Sequence, residues 1–213
     1  MTELRISWAS KDIINGKFWR WLLALSVFAR PIHELGHWVV YSFYGIKVHY
    51  TLNQVVPYQL KDTKILGEAG GPILNAILAV AGYTIFRNSK SCKEFGLALS
   101  IANIFSRLIV YLGVMLLHTW EINDEGVIGI LTSKNVYCYY ILFGTFFLFL
   151  LFLDLQRISM TLKERKDFLL LTILVFGAGI LIAEIFQRSF FEDLPVDFRT
   201  AIKLLQTIKT EKP

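Results

Sequence analysis

Residues 18–45 read FWRWLLALSVFARPIHELGHWVVYSFYG, and this stretch decides how the rest of the chain is read. The run is long enough to cross a hydrocarbon core of about 30 Å, for which about 20 predominantly apolar residues suffice. Inside it stand His33, Glu34 and His37. On a helix, side chains at i and i+4 project from one face, so His33 and His37 can share one metal ion, with Glu34 beside it. Two imidazoles and a carboxylate are costly to place within a membrane, and such clusters are functional by default; a bound cation would offset the cost. The competing reading is structural: the histidines hydrogen-bond across helices, and Glu34 pairs with Arg30 one turn earlier.

Working outward, four further apolar runs follow at 71–86, 95–118, 136–153 and 168–186, with the polar residues concentrated between them. The chain has 213 residues, 54% hydrophobic and only 18% charged, more apolar than an average soluble domain. The pattern predicts an all-α integral membrane protein with about five transmembrane helices. The second run is short for a full crossing, which suits a thin local membrane or a helix that begins inside the bilayer. A net charge of +5 raises the question of nucleic acid, but the cations are distributed by loop rather than gathered on one surface, which points away from a nucleic-acid partner. Arg5, Lys11, Lys17, Arg20, Arg87, Lys90, Lys93, Arg157, Lys163, Arg165 and Lys166 fall on one side of a five-span arrangement; Lys47, Lys61, Lys64 and Lys134 fall on the other. The positive-inside rule then puts the amino terminus in the cytoplasm, although the basic tail from Arg188 weakens the count.

The loops are short and without repeats, which predicts one transmembrane domain over residues 1–190 and a tail over 191–213. Apolar residues at Val196, Phe198, Ile202, Leu204, Leu205 and Ile208 give segment 193–209 of that tail the pattern of an amphipathic surface helix; a solvated tail fits as well. Residues 1–17 are polar and no convincing small-residue cleavage site follows, so the first span is expected to be retained. Cys92 and Cys138 fall on opposite faces, so no disulfide between them is expected. Between the first two spans, Val48-His49-Tyr50-Thr51-Leu52 alternates partly at strand period, and Val55-Val56 precedes Pro57, which suits an edge strand in a short membrane-associated hairpin.

A catalytic zinc ion usually has three protein ligands and a water whose pKa it lowers to about 7. A third ligand is therefore required. Val40 and Phe43 stand where one soluble protease class places a glycine and a third histidine, so the ligand must come from elsewhere. Residues from about 25 to 130 resemble the site-2 protease family of intramembrane zinc metalloproteases. His33-Glu34-Leu35-Gly36-His37 carries the resemblance, together with Gly70-Gly71-Pro72-Ile73-Leu74-Asn75, which looks like the family's Gly-Pro-x-x-Asn element, and Asn123-Asp124-Glu125-Gly126, a variant of its Leu-Asp-Gly element without the preceding prolines. The resemblance implies Asp124 as third ligand and Asn75 as a residue holding the substrate backbone or a developing oxyanion. Glu121, Glu125, His118 and Glu68 remain alternatives for the third ligand.

On this reading the chain is a zinc endopeptidase in which Glu34 is the general base and the substrate a membrane-spanning or membrane-associated polypeptide. The alternative is a catalytically inactive, protease-like scaffold that binds client helices; hydrolysis of another amide and metal transport are further readings. His37 lies roughly 27 Å along the first span at 1.5 Å per residue, Asn75 near the outward start of the second and Asp124 past the outward end of the third. They converge on one depth only if the chain near Trp120 folds back toward the metal, which is tolerated beside a water-filled cavity. Arg107 and Glu184, also charged within spans, receive no chemistry: both can snorkel or face other helices, and Glu184 can pair with Arg188.

Overall fold

The computed structural model describes residues 13–52, 54–120, 123–132, 134–158 and 160–190. Among the described residues there are six α-helices, α1 (Gly16–Phe43), α2 (Ile65–Asn88), α3 (Lys93–Leu117), α4 (Asp124–Leu131), α5 (Tyr137–Arg157) and α6 (Leu162–Phe190), a single 3-10 turn (Leu60–Asp62) and one hairpin of β1 (Val48–Thr51) and β2 (Gln54–Pro57). The tail 191–213, with its amphipathic segment, lies outside the described residues, as do Arg5, Lys11 and the side chain of Arg188.

Helices α2, α3 and α5, and α6 over residues 162–187, are long and apolar enough to cross a membrane. Helix α1 has 28 residues, but Arg20, Arg30, His33, Glu34 and His37 lower its hydropathy, and it is not among those four. The expected short second span is corrected. Helix α2 begins at Ile65 and runs 24 residues, so Pro72 sits in its interior rather than in its first turn. The polar residues ahead of Gly71 hid that start, because Glu68 faces Tyr41 rather than a loop.

Packing partners fix the order. His33, Gly36 and Tyr41 of α1 meet Asn75, Gly70 and Gly67 of α2, an antiparallel crossing. A Cβ on Gly36 would overlap the Gly70 carbonyl, and one on Gly70 would overlap the Gly36 carbonyl, so only glycine lets these backbones come so close. Asn75 and Gly82 of α2 meet Ser106 and Ser100 of α3, again antiparallel. Phe18 and Ser26 of α1 meet Phe168 and Gly179 of α6, a parallel pair.

Helix α3 is central: Leu97, Ala98, Ile101, Ala102, Ile104 and Phe105 are all buried. Over their most apolar 18 residues, 56% of α3 but only 22% of α5 and of α6 is buried. The outer faces of α5 and α6 therefore present Ile141, Leu142, Leu148, Phe149, Leu170, Leu174 and Leu181 to their surroundings, an apolar surface far larger than a water-soluble monomer exposes.

Local chemistry sets several boundaries. Asn15 caps α1, its side-chain oxygen accepting from the amides of Lys17 and Phe18. Thr161 and Glu164 form a reciprocal capping box at the start of α6. Helix α3 ends at Leu117 with His118 in the left-handed region at φ 53°, a conformation histidine visits more readily than branched residues. The chain then turns back, Tyr140 of α5 donates to the Trp120 carbonyl, and α4 packs against α2 and α5. The fold-back near Trp120 expected from the motif spacing is thus present. The hairpin is antiparallel, pairing His49 with Val56 and Tyr50 with Val55, and packs on α1.

Candidate metal centre

The site lies where α1, α2, α3 and the first turn of α4 meet. His33 and His37, one turn apart on α1, both face α2 and are buried. His37 Nδ1–H donates to the Gly67 carbonyl at 2.8 Å. A carbonyl only accepts, so Nδ1 carries a proton, and in the neutral imidazole Nε2 is then the lone pair. His33 Nδ1–H donates to Asn75 Oδ1 at 2.8 Å. Asn75 is oriented in turn from α3: its Nδ2 donates to Ser106 Oγ at 2.6 Å and to Asn103 Oδ1 at 3.3 Å, while Ser106 donates to the Asn103 carbonyl.

Both Nε2 atoms point at one place. They stand 3.1 Å apart, and Asp124 Oδ2 lies 2.9 Å from His33 Nε2 and 3.6 Å from His37 Nε2. With both imidazoles neutral and their protons directed elsewhere, three lone-pair atoms converge, a donor set suited to a cation; Arg107 lies at its edge, 3.2 Å from His33 Nε2 and 3.4 Å from Asp124 Oδ2. Ligands about 2.0–2.1 Å from a tetrahedral ion stand roughly 3.3–3.4 Å apart, and the observed separations bracket that value. The donor set fits a zinc-sized ion. Asp124 keeps 20% of its side chain exposed, which leaves the centre open on that side.

The alternatives for the third ligand are placed elsewhere. Glu125 is turned to Arg107, Glu68 accepts from Tyr41 Oη, His118 terminates α3, and Glu121 lies outside the described residues. Among the described residues, His33, His37 and Asp124 are the group that could hold a metal. Glu34, next to His33 on the same helix, is buried while Arg30 is exposed. Burial, and then the Glu34 carboxylate, push the phenol of Tyr50 on β1 up.

Asn75 departs from its expected place. Its side chain is wholly buried and its amide and carbonyl are engaged with Ser106, Asn103 and His33, so its contacts are those of a support for a ligand, not of a group turned to a substrate. Sequence reasoning passed over Arg107. It is 4% exposed, with Nη1 3.2 Å from His33 Nε2 and Nη2 between Asp124 and Glu125. The signal was available: Asn103, Ser106, Arg107 and Tyr111 recur at helical spacing, a polar stripe along an otherwise apolar helix.

A glycine completes the packing. A Cβ on Gly71 would overlap Nε2 of both histidines, so the α2 backbone forms the wall against which the imidazoles lie. Comparison with known families, with characterised proteins and with solved structures yields no match.

Proposed function

We propose that the chain is an intramembrane zinc endopeptidase that hydrolyses membrane-spanning or membrane-associated polypeptides. The observation that carries this reading is the convergence of His33 Nε2, His37 Nε2 and Asp124 Oδ2 beside Glu34, among helices apolar enough to cross a bilayer. We count α1 as a fifth span, since its helix directions alternate in step with the other four, and place the amino terminus in the cytoplasm by the positive-inside rule.

A zinc ion held by these three residues would polarise the scissile carbonyl and acidify an attacking water. Glu34, next to His33 on the helix, would serve as the base, taking a proton from that water and returning it to the leaving amine. His33 and His37 present lone pairs because Asn75 and Gly67 hold their protons on the opposite nitrogen. A transmembrane substrate must unwind first, because helical carbonyls are occupied by hydrogen bonds. The hairpin, which packs on α1, offers a strand edge on which the extended stretch could pair.

The test is the zinc content of detergent-purified wild type, His37→Ala, Asp124→Ala and Glu34→Gln, with cleavage of single-span model substrates measured in parallel. We expect one zinc per chain in wild type and Glu34→Gln, loss in the two ligand variants, and cleavage by wild type alone. Wild type without metal after zinc-supplemented purification would favour the client-binding scaffold. Equal cleavage by Glu34→Gln would defeat the role of the base.

A further inference from the structure

Arg107 stands where a metal centre would least tolerate a cation. Its Nη1 is 3.2 Å from His33 Nε2 and its Nη2 is 3.4 Å from Asp124 Oδ2, two of the atoms that face the metal position. Nη1 is also 3.4 Å from His33 Nδ1, which is already committed to Asn75. A guanidinium does not escape by losing its proton. A divalent ion among these donors would face a full positive charge at short range, in surroundings that screen poorly.

Glu125 answers that charge. Both its oxygens accept from Arg107 Nη2, at 2.7 and 2.8 Å, and it is wholly buried. Tyr111 Oη and Asn123 Nδ2 donate to the same carboxylate at 2.5 and 2.6 Å. Asp124 and Glu125 are consecutive in the first turn of α4, so the carboxylate that grips α3 is one residue from the carboxylate that faces the histidines.

We infer that Arg107 and Glu125 form a positioning pair for the metal site. Arg107 holds the first turn of α4, and with it Asp124, against His33; Glu125 cancels the charge that Arg107 would otherwise turn on the metal ion. The inference rests on the metal reading above and adds two residues to it.

The full-length protein in detergent is titrated with Zn2+ against a chromophoric chelator as wild type, His37→Ala, Glu125→Gln and the double variant Arg107→Met with Glu125→Gln. Glu125→Gln leaves Asp124 as the carboxylate facing Arg107, in competition with the metal ion, and zinc affinity falls roughly thirtyfold, within the range seen when partners of metal ligands are removed. The double variant removes both charges and binds about threefold to tenfold tighter than Glu125→Gln. A pair that acted only as packing would give the reverse order, because the double variant loses more contacts. Wild-type affinity in Glu125→Gln, or a double variant no tighter than the single one, overturns the inference. Should Glu125→Gln not purify as a monodisperse protein, the double variant decides alone: a zinc affinity about threefold to tenfold below wild type, the cost of losing Arg107's hold on Asp124, supports the pair, and either wild-type affinity or loss of zinc overturns it. Wild type that binds no zinc sinks the metal reading itself. Zinc bound by wild type, lost in His37→Ala and unaffected in Glu125→Gln sinks the pair only.

Discussion

Two acids in this bundle, Asp124 and Asp154, are held in opposite ways. Asp124 meets His33, His37 and Arg107 at 2.9, 3.6 and 3.4 Å and keeps one open side. Asp154 of α5 is wholly buried, accepts from Ser100 Oγ at 2.6 Å, and has no hydrogen-bond partner for Oδ1 among the described residues. Ser100 lies seven residues before Arg107 on α3, about 10 Å along the axis, so one central helix serves both. Burial is common to the two places; what separates them is convergence. At Asp124, groups from α1, α3 and α4 aim at one point and each is oriented from behind. Asp154 joins two helices through a single hydrogen bond, the ordinary use of a polar residue between membrane helices.

Gly71→Ala tests that difference most severely. The added methyl group would overlap both imidazoles, and α2 is held against α1 by the Gly36–Gly70 contact, so the backbone has little room to retreat. We expect zinc affinity to fall by about a hundredfold or more, the equivalent of roughly 3 kcal/mol. Chelator competition measures it, and wild-type affinity would show that the crossing relaxes freely.

Asn75→Ala should have a smaller effect, since it releases the proton-bearing side of His33 but leaves all three donors in place. A loss of roughly ten- to a hundredfold in zinc affinity is expected. An unchanged affinity would remove Asn75 from the site's support.

Asp154→Asn should leave zinc affinity untouched. The carboxamide still accepts from Ser100, and thermal unfolding in detergent should shift by the equivalent of about 1 kcal/mol or less. Loss of metal in this variant would erase the contrast, because it would tie Asp154 to a site more than one helix turn away.

Much of the site was legible before folding because it is local. His33, Glu34 and His37 lie on one turn of one helix, and helical spacing alone brings the two imidazoles together. The hairpin was readable from strand-period alternation and a proline at its edge, and β1 and β2 form where that pattern places them. Asp124 was reached through a motif resemblance, and the fold-back near Trp120 brings it to the histidines across 91 residues of sequence. Arg107 was set aside because a lone arginine in a span has several inexpensive fates, snorkelling among them. Its burial follows from Glu125, whose position depends on how α4 packs.

The sequence by itself determined an apolar helical chain, the spacing that pairs two imidazoles on one face, and the carboxylate beside them. Tertiary structure decided which acid meets the two imidazoles, that Asn75 hydrogen-bonds His33, and that Arg107 and Glu125 meet beside them. The physical reason is range: helix periodicity fixes neighbours within a turn or two, whereas the partners of a buried charge are set by whichever distant helix can approach. In this bundle that approach depends on Gly36, Gly70 and Gly71, where side chains are absent and the α1 and α2 backbones can come together.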